Sequence, residues 1–197
     1  FTEDVGAGAI YEAARILNAF YESVRGEQYL TFNAVSILGG TTVDYDPQGT
    51  RGTAFGKTNV VPNTVIVDGG IRTISPEQLE REKEAMLTVV NNSHPHTEAT
   101  LTFGEGYPPM APTDGNIRLQ EQLSQVNQDL GRGPMPALDP ARRGAADISF
   151  VAPYTDALAG MGGIGEGGHS PRESFEIDSM PLAVKRAAIL MYRLSNQ

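Results

Sequence analysis

Three features of the sequence predict a mixed α/β protein in two parts. The first residues have the apolar spacing of a helix, and two strand-like stretches, a well-capped helix and a third strand-like stretch follow it. A proline-rich stretch then leads into helices joined by long loops. We therefore expect one domain over residues 1–108 and a second over residues 109–197.

The first predicted element is an amphipathic helix, FTEDVGAGAIYEAARILNAFYESVRG. It opens with an acidic turn and ends at Gly26, a residue suited to a helix C-terminus. Its apolar residues recur at helical spacing: Ile10, Ala13, Leu17, Phe20 and Val24. A helix this close to residue 1, with no initiator Met and no preceding strand, indicates a chain that starts inside a domain.

Two strands are predicted after this helix. Residues 29–40 alternate and are rich in aromatic and β-branched side chains. The Asp-Pro pair and glycines of residues 41–57 favour a long turn or a hairpin tip. Residues 63–73 predict the second strand, in which Gly69 and Gly70 indicate a bulge or a close backbone approach.

A second helix and a third strand complete the first domain. Ser75 as N-cap, Pro76 at the first helical position and Gln78 closing a capping box predict a helix to about residue 91. Residues 97–106 alternate again and predict a strand. Two helices on one face of an antiparallel sheet, each feeding a strand, form a ferredoxin-like βαββαβ unit, here lacking its first strand, which would precede residue 1.

The second domain begins after the Pro-rich joint at residues 107–114. Apolar spacing predicts a helix over residues 119–130, which ends at Gly131. ISFVAPY, residues 148–154, predicts a strand, and residues 157–178 predict a glycine-rich loop. Ser179 and Pro181 begin the last amphipathic helix.

Charge and composition exclude several classes of partner. The 197 residues hold 15 Lys plus Arg against 24 Asp plus Glu, a net charge of −9, and no basic cluster. This balance disfavours nucleic acid and anionic membranes, and no apolar stretch is long enough to cross a bilayer. We expect a soluble protein. Because the chain has no cysteine, it has neither disulfides nor thiolate metal sites, and its compartment stays open.

The loop MGGIGEGGHSPRESFEID contains the strongest chemical signal. Its glycines satisfy G-x-G-x-x-G, but no helix follows the last glycine, so a phosphate cradle is disfavoured. His169 is a metal ligand or a solvent-exposed loop residue, and Ser170 beside it lacks the setting of a hydrolase nucleophile. The other histidines, His94 and His96, lie in a predicted turn rather than a metal site.

Asn59 and Arg72 flank the second predicted strand. An arginine can hold a carboxylate through two parallel hydrogen bonds, and an asparagine amide supplies a further donor. Both residue types are also ordinary at strand ends on a protein surface.

Three segments, in chain order and followed by the last helix, resemble the zinc-dependent glutamate carboxypeptidase and aminoacylase family of metallopeptidases: NVVPNTVIVDGGIRT, GAADISFVA and GIGEGGHSPRESFEI. The resemblance implies that residues 1–108 are a dimerisation lid and that residues 109–197 are the C-terminal part of an α/β catalytic domain with two zinc ions. It implies a homodimer through the lid and hydrolysis, by metal-activated water, of an amide bond beside a free carboxylate. The substrate would be a small peptide or an N-acyl amino acid.

The resemblance also implies residue roles. His169 matches a zinc ligand, Glu173 its acidic neighbour, and Asp147 an acidic residue with an indirect or structural role. Asn59 and Arg72 match lid residues that bind the substrate carboxylate.

Gly167 lines the same substrate site in the family pattern. The sequence has no His-x-Asp and no Glu-Glu, so the remaining zinc ligands and the general-base Glu are expected in a missing N-terminal catalytic segment. This chain alone is then expected to be inactive. The alternative is a catalytically silent dimerisation or assembly module.

Overall fold

Four α-helices and three two-stranded antiparallel sheets make up residues 6–196, the part of the chain that a computed structural model describes. The predicted mixed α/β class is therefore confirmed. Two compact units meet in the sequence between Pro109 and Met110, one residue from the predicted boundary. The assignment of these units as lid and catalytic segment stays a prediction.

The first unit opens with helix α1, Ala9–Ala19, which continues as a π-helix over Phe20–Val24. Gly26 follows with a φ of 111°, a left-handed conformation that glycine adopts without steric cost. The predicted helix and its glycine end are thus confirmed, but the helix begins at Ala9 rather than almost at residue 1, since residues 6–8 are not helical. The predicted acidic first turn lies outside the described residues.

Strands β1, Thr31–Gly40, and β4, Thr64–Arg72, form the central antiparallel pair. The register shifts between Ala34 and Ser36, so Val35 is an extra residue opposite Gly69 and Asp68. A Cβ on Gly69 would lie 2.8 Å from the backbone oxygen of Asn33. The irregularity predicted from the paired glycines therefore exists as a close backbone approach on β4 and a bulge on β1.

Strands β2, Thr42–Asp46, and β3, Arg51–Phe55, form a hairpin of their own in the stretch predicted as a long turn or a hairpin tip. Its Tyr45 hydroxyl donates to the Asp68 carboxylate of β4, which also accepts from the Ser36 hydroxyl at 3.2 Å. The hydrogen bond from Tyr45 ties the hairpin to the central pair, and the one from Ser36 joins β1 to β4 within that pair.

Helix α2, Pro76–Val90, begins at the predicted cap. The Ser75 hydroxyl accepts from the Gln78 backbone N–H at 3.2 Å. The Gln78 side chain accepts from the Ile74 N–H at 2.8 Å, one residue before the cap itself. The capping pair is thus present with its return bond shifted by one residue.

The strand predicted over residues 97–106 is wrong. Residues 98–106 carry no strand, and no backbone hydrogen bond joins them to other described residues. A strand requires a neighbour for its backbone groups, and the βαββαβ order places this one beside the first strand. None of the described residues provides that neighbour.

In the second unit, helix α3, Asp114–Asp129, packs on helix α4, Met180–Ser195. Leu123 and Val126 of α3 and Leu190 of α4 form the buried centre of their contact. Gly131, with a φ of 75°, follows the end of α3 as predicted.

The strand predicted over residues 148–154 is also wrong. Asp147–Phe150 forms a 3-10 helix, in which the Val151 N–H donates to the Ile148 oxygen at 3.0 Å. The apolar run satisfies its backbone locally, since no described strand lies beside it to pair with. Every helix in the described range is too short or too polar to cross a membrane.

Candidate functional site

The glycine-rich loop folds as a β-hairpin. Strands β5, Gly165–Glu166, and β6, Ser174–Phe175, pair at its base. The Ser179 hydroxyl accepts from the Ile164 N–H at 2.8 Å and donates to the Glu176 oxygen at 2.6 Å. Ser179 precedes α4 as predicted, but its hydroxyl holds the hairpin base instead of capping the helix.

A turn at the hairpin tip is closed by Gly167 and Ser170. The Gly167 oxygen accepts from both the N–H and the hydroxyl of Ser170, at 3.1 and 2.7 Å. Gly167 has a φ of 68°, and a Cβ there would lie 2.8 Å from the Arg172 oxygen. Only glycine suits this position without a shift of the turn.

His169 lies at the apex of this turn and is solvent-exposed. Its φ of 63° is left-handed, a conformation uncommon for a residue with a side chain. Its backbone N–H donates to the Glu173 carboxylate at 3.2 Å, while its imidazole makes no hydrogen bond to any described residue. The Glu173 carboxylate therefore holds the backbone of His169, the predicted zinc ligand. The imidazole ring of His169 has no described hydrogen-bond partner.

The structure brings Gly167, His169 and Glu173 together at the hairpin tip. Asp147, the fourth predicted residue of this unit, is exposed at the start of the 3-10 helix, in a separate segment. No group of three or more metal-ligating side chains occurs among the described residues. These residues alone do not form a zinc site, because such a site takes three or four protein ligands.

The histidines of the predicted turn have structural contacts. The His94 N–H donates to the Glu12 carboxylate at 2.9 Å, and the His94 oxygen accepts from the Thr97 hydroxyl at 2.7 Å. The predicted turn is confirmed for this pair, in which the Thr97 N–H donates to the His94 oxygen at 3.1 Å.

Asn59 and Arg72 lie before and at the end of β4. Asn59 is exposed in a turn in which the Val60 N–H donates to the Lys57 oxygen at 3.0 Å. Arg72 is exposed, and its guanidinium has no ion pair or hydrogen bond with the described residues. Since β4 spans about 26 Å, the structure does not join the two side chains at one point.

A buried ionic cluster in the first unit was not predicted. The Arg15 guanidinium donates to Glu12 at 2.6 Å and to the Val89 oxygen of α2 at 3.0 Å. This arginine, with the His94 N–H, lowers the pKa of Glu12 to about 2 despite the opposing effect of burial. A carboxylate of such low pKa is a poor general base, so we interpret the cluster as structural. Its sequence signal was the i, i+3 spacing of Glu12 and Arg15.

Two further carboxyl groups share a hydrogen bond. Burial, followed by the hydrogen bond to Glu27, raises the pKa of Glu82. The hydrogen bond from Glu82 is the main cause of the lowered pKa of Glu27, which also pairs with Arg81. Neither glutamate lines the groove described next.

A groove of about 810 Å³ runs through the first unit. One wall is β4, a second is the segment of residues 98–103, and the apolar faces of α1 and α2 cover it. Its lining is mainly apolar, with Ile16, Phe20 and Met86 from the helices. In the sequence, this groove was indicated only by the alternating stretch of residues 97–106, for which the chain offers no neighbouring strand among the described residues.

Comparison with known proteins bears on the first unit. Residues 2–98 match the family model described as a peptidase dimerisation domain, which belongs to the M20 peptidases. The match covers most of the first unit and ends where the segment of residues 98–103 begins. No curated protein matches the chain.

Proposed function

We propose that the chain is part of a metal-dependent hydrolase of the M20 peptidase type. The premise is that residues 2–98 resemble a dimerisation domain of these peptidases. The reaction of this hydrolase would be cleavage of an amide bond beside a free carboxylate, in a small peptide or an N-acyl amino acid. The observation that carries the proposal is the match of the first unit, which also favours a homodimer.

Arg72 is proposed as the principal contact of the substrate carboxylate. Its guanidinium is exposed and has no competing acid among the described residues. A planar guanidinium offers two parallel N–H donors to a carboxylate, whereas an ammonium group offers a point charge. Asn59 is retained as a second proposed substrate-binding residue, separated from Arg72 by the roughly 26 Å length of β4.

The hairpin tip is proposed to contribute to the reaction centre. His169 offers an exposed imidazole with no described hydrogen-bond partner, while Glu173 holds its backbone at 3.2 Å. The Gly167 oxygen is used by Ser170, so Gly167 would contribute through its N–H. Asp147 is retained as a residue with an indirect role.

Zinc belongs to this proposal, but the described residues do not fit a complete zinc site. One imidazole is available at the hairpin tip, and no three-ligand group accompanies it in the described range. The other ligands of two zinc ions, and a general-base Glu, would come from polypeptide outside these 197 residues. We therefore assign no catalytic step to this chain alone.

Zinc loading and hydrolysis test the proposal. The full gene product is expected to cleave N-acetyl-glutamate and to be inactive on the same compound with its α-carboxylate amidated. His169→Ala is expected to lower its zinc content, measured by atomic emission, and His94→Ala is the matched control. Equal cleavage of both compounds would refute the carboxylate requirement, and normal zinc content in His169→Ala would remove the ligand assignment.

The second candidate is a catalytically silent assembly module. It is favoured by the match to a dimerisation domain together with the lack of a three-ligand metal group among the described residues. Stoichiometric, tightly bound zinc on the 197-residue chain would contradict it. Dimerisation without zinc uptake or hydrolysis in any longer gene product would support it.

A further inference from the structure

Arg72 lies on the face of the central strand pair that points away from the helices. Successive residues of a strand alternate between its two faces, and Val67 and Ile71 of β4 line the groove beneath α1 and α2. Asp68 and Arg72 do not line that groove. They lie on the opposite face, with Gly70 between them. The proposed carboxylate contact therefore shares a face with a carboxylate four residues away.

Asp68 is a half-buried carboxylate without a positively charged partner. Its Oδ2 atom accepts from the Ser36 hydroxyl at 3.2 Å and from the Tyr45 hydroxyl. No Lys, Arg or His side chain of the described residues forms an ion pair with it, and its Oδ1 atom accepts from none of them. Because a charge partly removed from water is costly unless it is paired, Oδ1 is suited to a bound cationic group.

The surface between Asp68 and Arg72, here called the strip, is open. A Cβ on Gly70 would meet nothing within 4 Å, so no neighbouring group covers the middle of the strip. Gly70 pairs with Asn33 of β1, an exposed residue, and paired residues of adjacent strands point to the same face. Tyr45 reaches from the hairpin to Asp68 and ends the strip there. The strip thus has a guanidinium at one end, a carboxylate at the other and an amide side chain midway.

The length of the strip matches a short peptide. Residues 68 and 72 lie four apart along β4, so their Cα atoms are about 13 Å from each other. Both side chains project from one face, which separates their charged groups by a distance of this order. An extended dipeptide is about 7 Å long, and a hydrogen bond of about 3 Å at each end brings its reach to about 13 Å. One dipeptide therefore spans the strip.

We propose that the strip binds a zwitterionic dipeptide, with Arg72 holding its terminal carboxylate and Asp68 its free α-ammonium group. This inference rests on the proposed function for the role of Arg72. Asp68 is then a specificity-determining residue that favours a small peptide over an N-acyl amino acid, because acylation removes the positive charge. The Asn33 amide offers both a donor and an acceptor to the peptide bond between the charged ends.

Two compounds that differ only in the ammonium group test the proposal on the 197-residue chain. Glycyl-glutamate carries this group, and N-acetyl-glutamate has a hydrogen atom in its place. Binding is measured by NMR titration of the backbone amides of residues 68–72. Glycyl-glutamate is expected to have a dissociation constant at least about tenfold lower, because it alone forms a charge-assisted hydrogen bond with Asp68.

Three variants locate the two ends of the ligand. Asp68→Asn removes the charge but keeps an oxygen acceptor for the two hydroxyls, and is expected to reduce the preference for glycyl-glutamate to less than about twofold. Asp44→Asn, at an exposed position of β2, removes an equal charge and is expected to leave the preference unchanged. Arg72→Ala is expected to weaken the binding of both compounds about tenfold. Circular dichroism checks that each variant folds.

Equal binding of the two compounds by the wild-type chain would overturn the inference without any variant. An unchanged preference in Asp68→Asn, or an equal loss of both compounds in that variant, would also overturn it, since the second result indicates a structural role. Binding of neither compound at residues 68–72 would do the same. Hydrolysis of N-acetyl-glutamate and zinc loading of the full gene product test the proposed function separately, so the two can fail independently.

Discussion

Gly167 and His169 share a left-handed backbone conformation, but only Gly167 adopts it without cost. Gly167 also faces the Arg172 oxygen at a distance that excludes a Cβ. At His169 the conformation is held by the Glu173 carboxylate and the Gly167–Ser170 turn. The exposed ring thus sits on a backbone that its neighbours determine.

Gly167→Ala is expected to destabilise the hairpin tip by more than about 1 kcal/mol, since alanine is strained at positive φ and its Cβ meets the Arg172 oxygen. Gly168→Ala is the matched control, because a Cβ there meets nothing within 4 Å. Amide exchange of residues 165–175 measures the effect. Equal protection in the two variants would contradict this account of the turn.

Arg72→Ala is expected to raise the KM of the active hydrolase for carboxylate substrates at least about tenfold, because a charge-assisted hydrogen bond contributes roughly 1.5–3 kcal/mol. Arg72→Lys should recover part of the loss, and Arg118→Ala, an exposed arginine of α3, should have no effect.

A double variant with Asn59→Ala then tests whether the two residues act on the same carboxylate. Non-additive losses would indicate a shared group, and additive losses would indicate separate contacts. Unchanged kinetics in Arg72→Ala would remove the assigned role.

At the scale of elements, the sequence predicted those helix ends whose hydrogen bonds and backbone conformation depend on residues close in the chain. The Ser75 and Gln78 caps of α2 and the glycine ends after α1 and α3 depend on neighbours close in sequence, and each was predicted. The strands predicted over residues 97–106 and 148–154 failed for one reason. A strand depends on a partner elsewhere in the chain, which alternation alone does not reveal.

In the candidate site, too, features local in the sequence were predicted, and contacts that depend on the fold were not. The sequence placed glycines and His169 in one loop, but the use of Glu173 on the backbone of His169 depends on the hairpin geometry. The separation of Asn59 and Arg72 along β4 likewise depends on the strand between them. The Glu12 cluster was missed because its partners, Val89 and His94, come from distant segments.

The Glu12 cluster ties α1 to the end of α2, which gives the first unit a defined pH dependence. The pKa of Glu12 is lowered in the folded state to about 2 from an ordinary value of 4.5. Its stabilisation is therefore complete above about pH 4.5 and is lost as the pH falls toward 2, by up to about 3 kcal/mol.

Urea unfolding between pH 7 and pH 2.5 measures this dependence. Glu12→Gln is expected to be less stable at pH 7 and to lose less stability on acidification than the wild-type chain. Glu22→Gln, an exposed glutamate of the same unit, is the control. Parallel curves for wild type and Glu12→Gln would contradict the assignment.

At the scale of the whole molecule, the first unit has a family match and the second has the hairpin with His169. The match to a peptidase dimerisation domain predicts that the chain is a homodimer. Sedimentation equilibrium is expected to give twice the chain mass at micromolar concentration, with or without a chelator. A monomer under both conditions would contradict the prediction, and a dimer that dissociates on chelation would assign the contact to a metal.

The open groove also bears on how the protein is handled. Among the described residues, one edge of β4 has no strand partner and lies beside residues 98–103, which have none either, and such a surface is one on which edge-to-edge aggregation begins. The chain expressed alone is then expected to give low soluble yields and to precipitate on concentration.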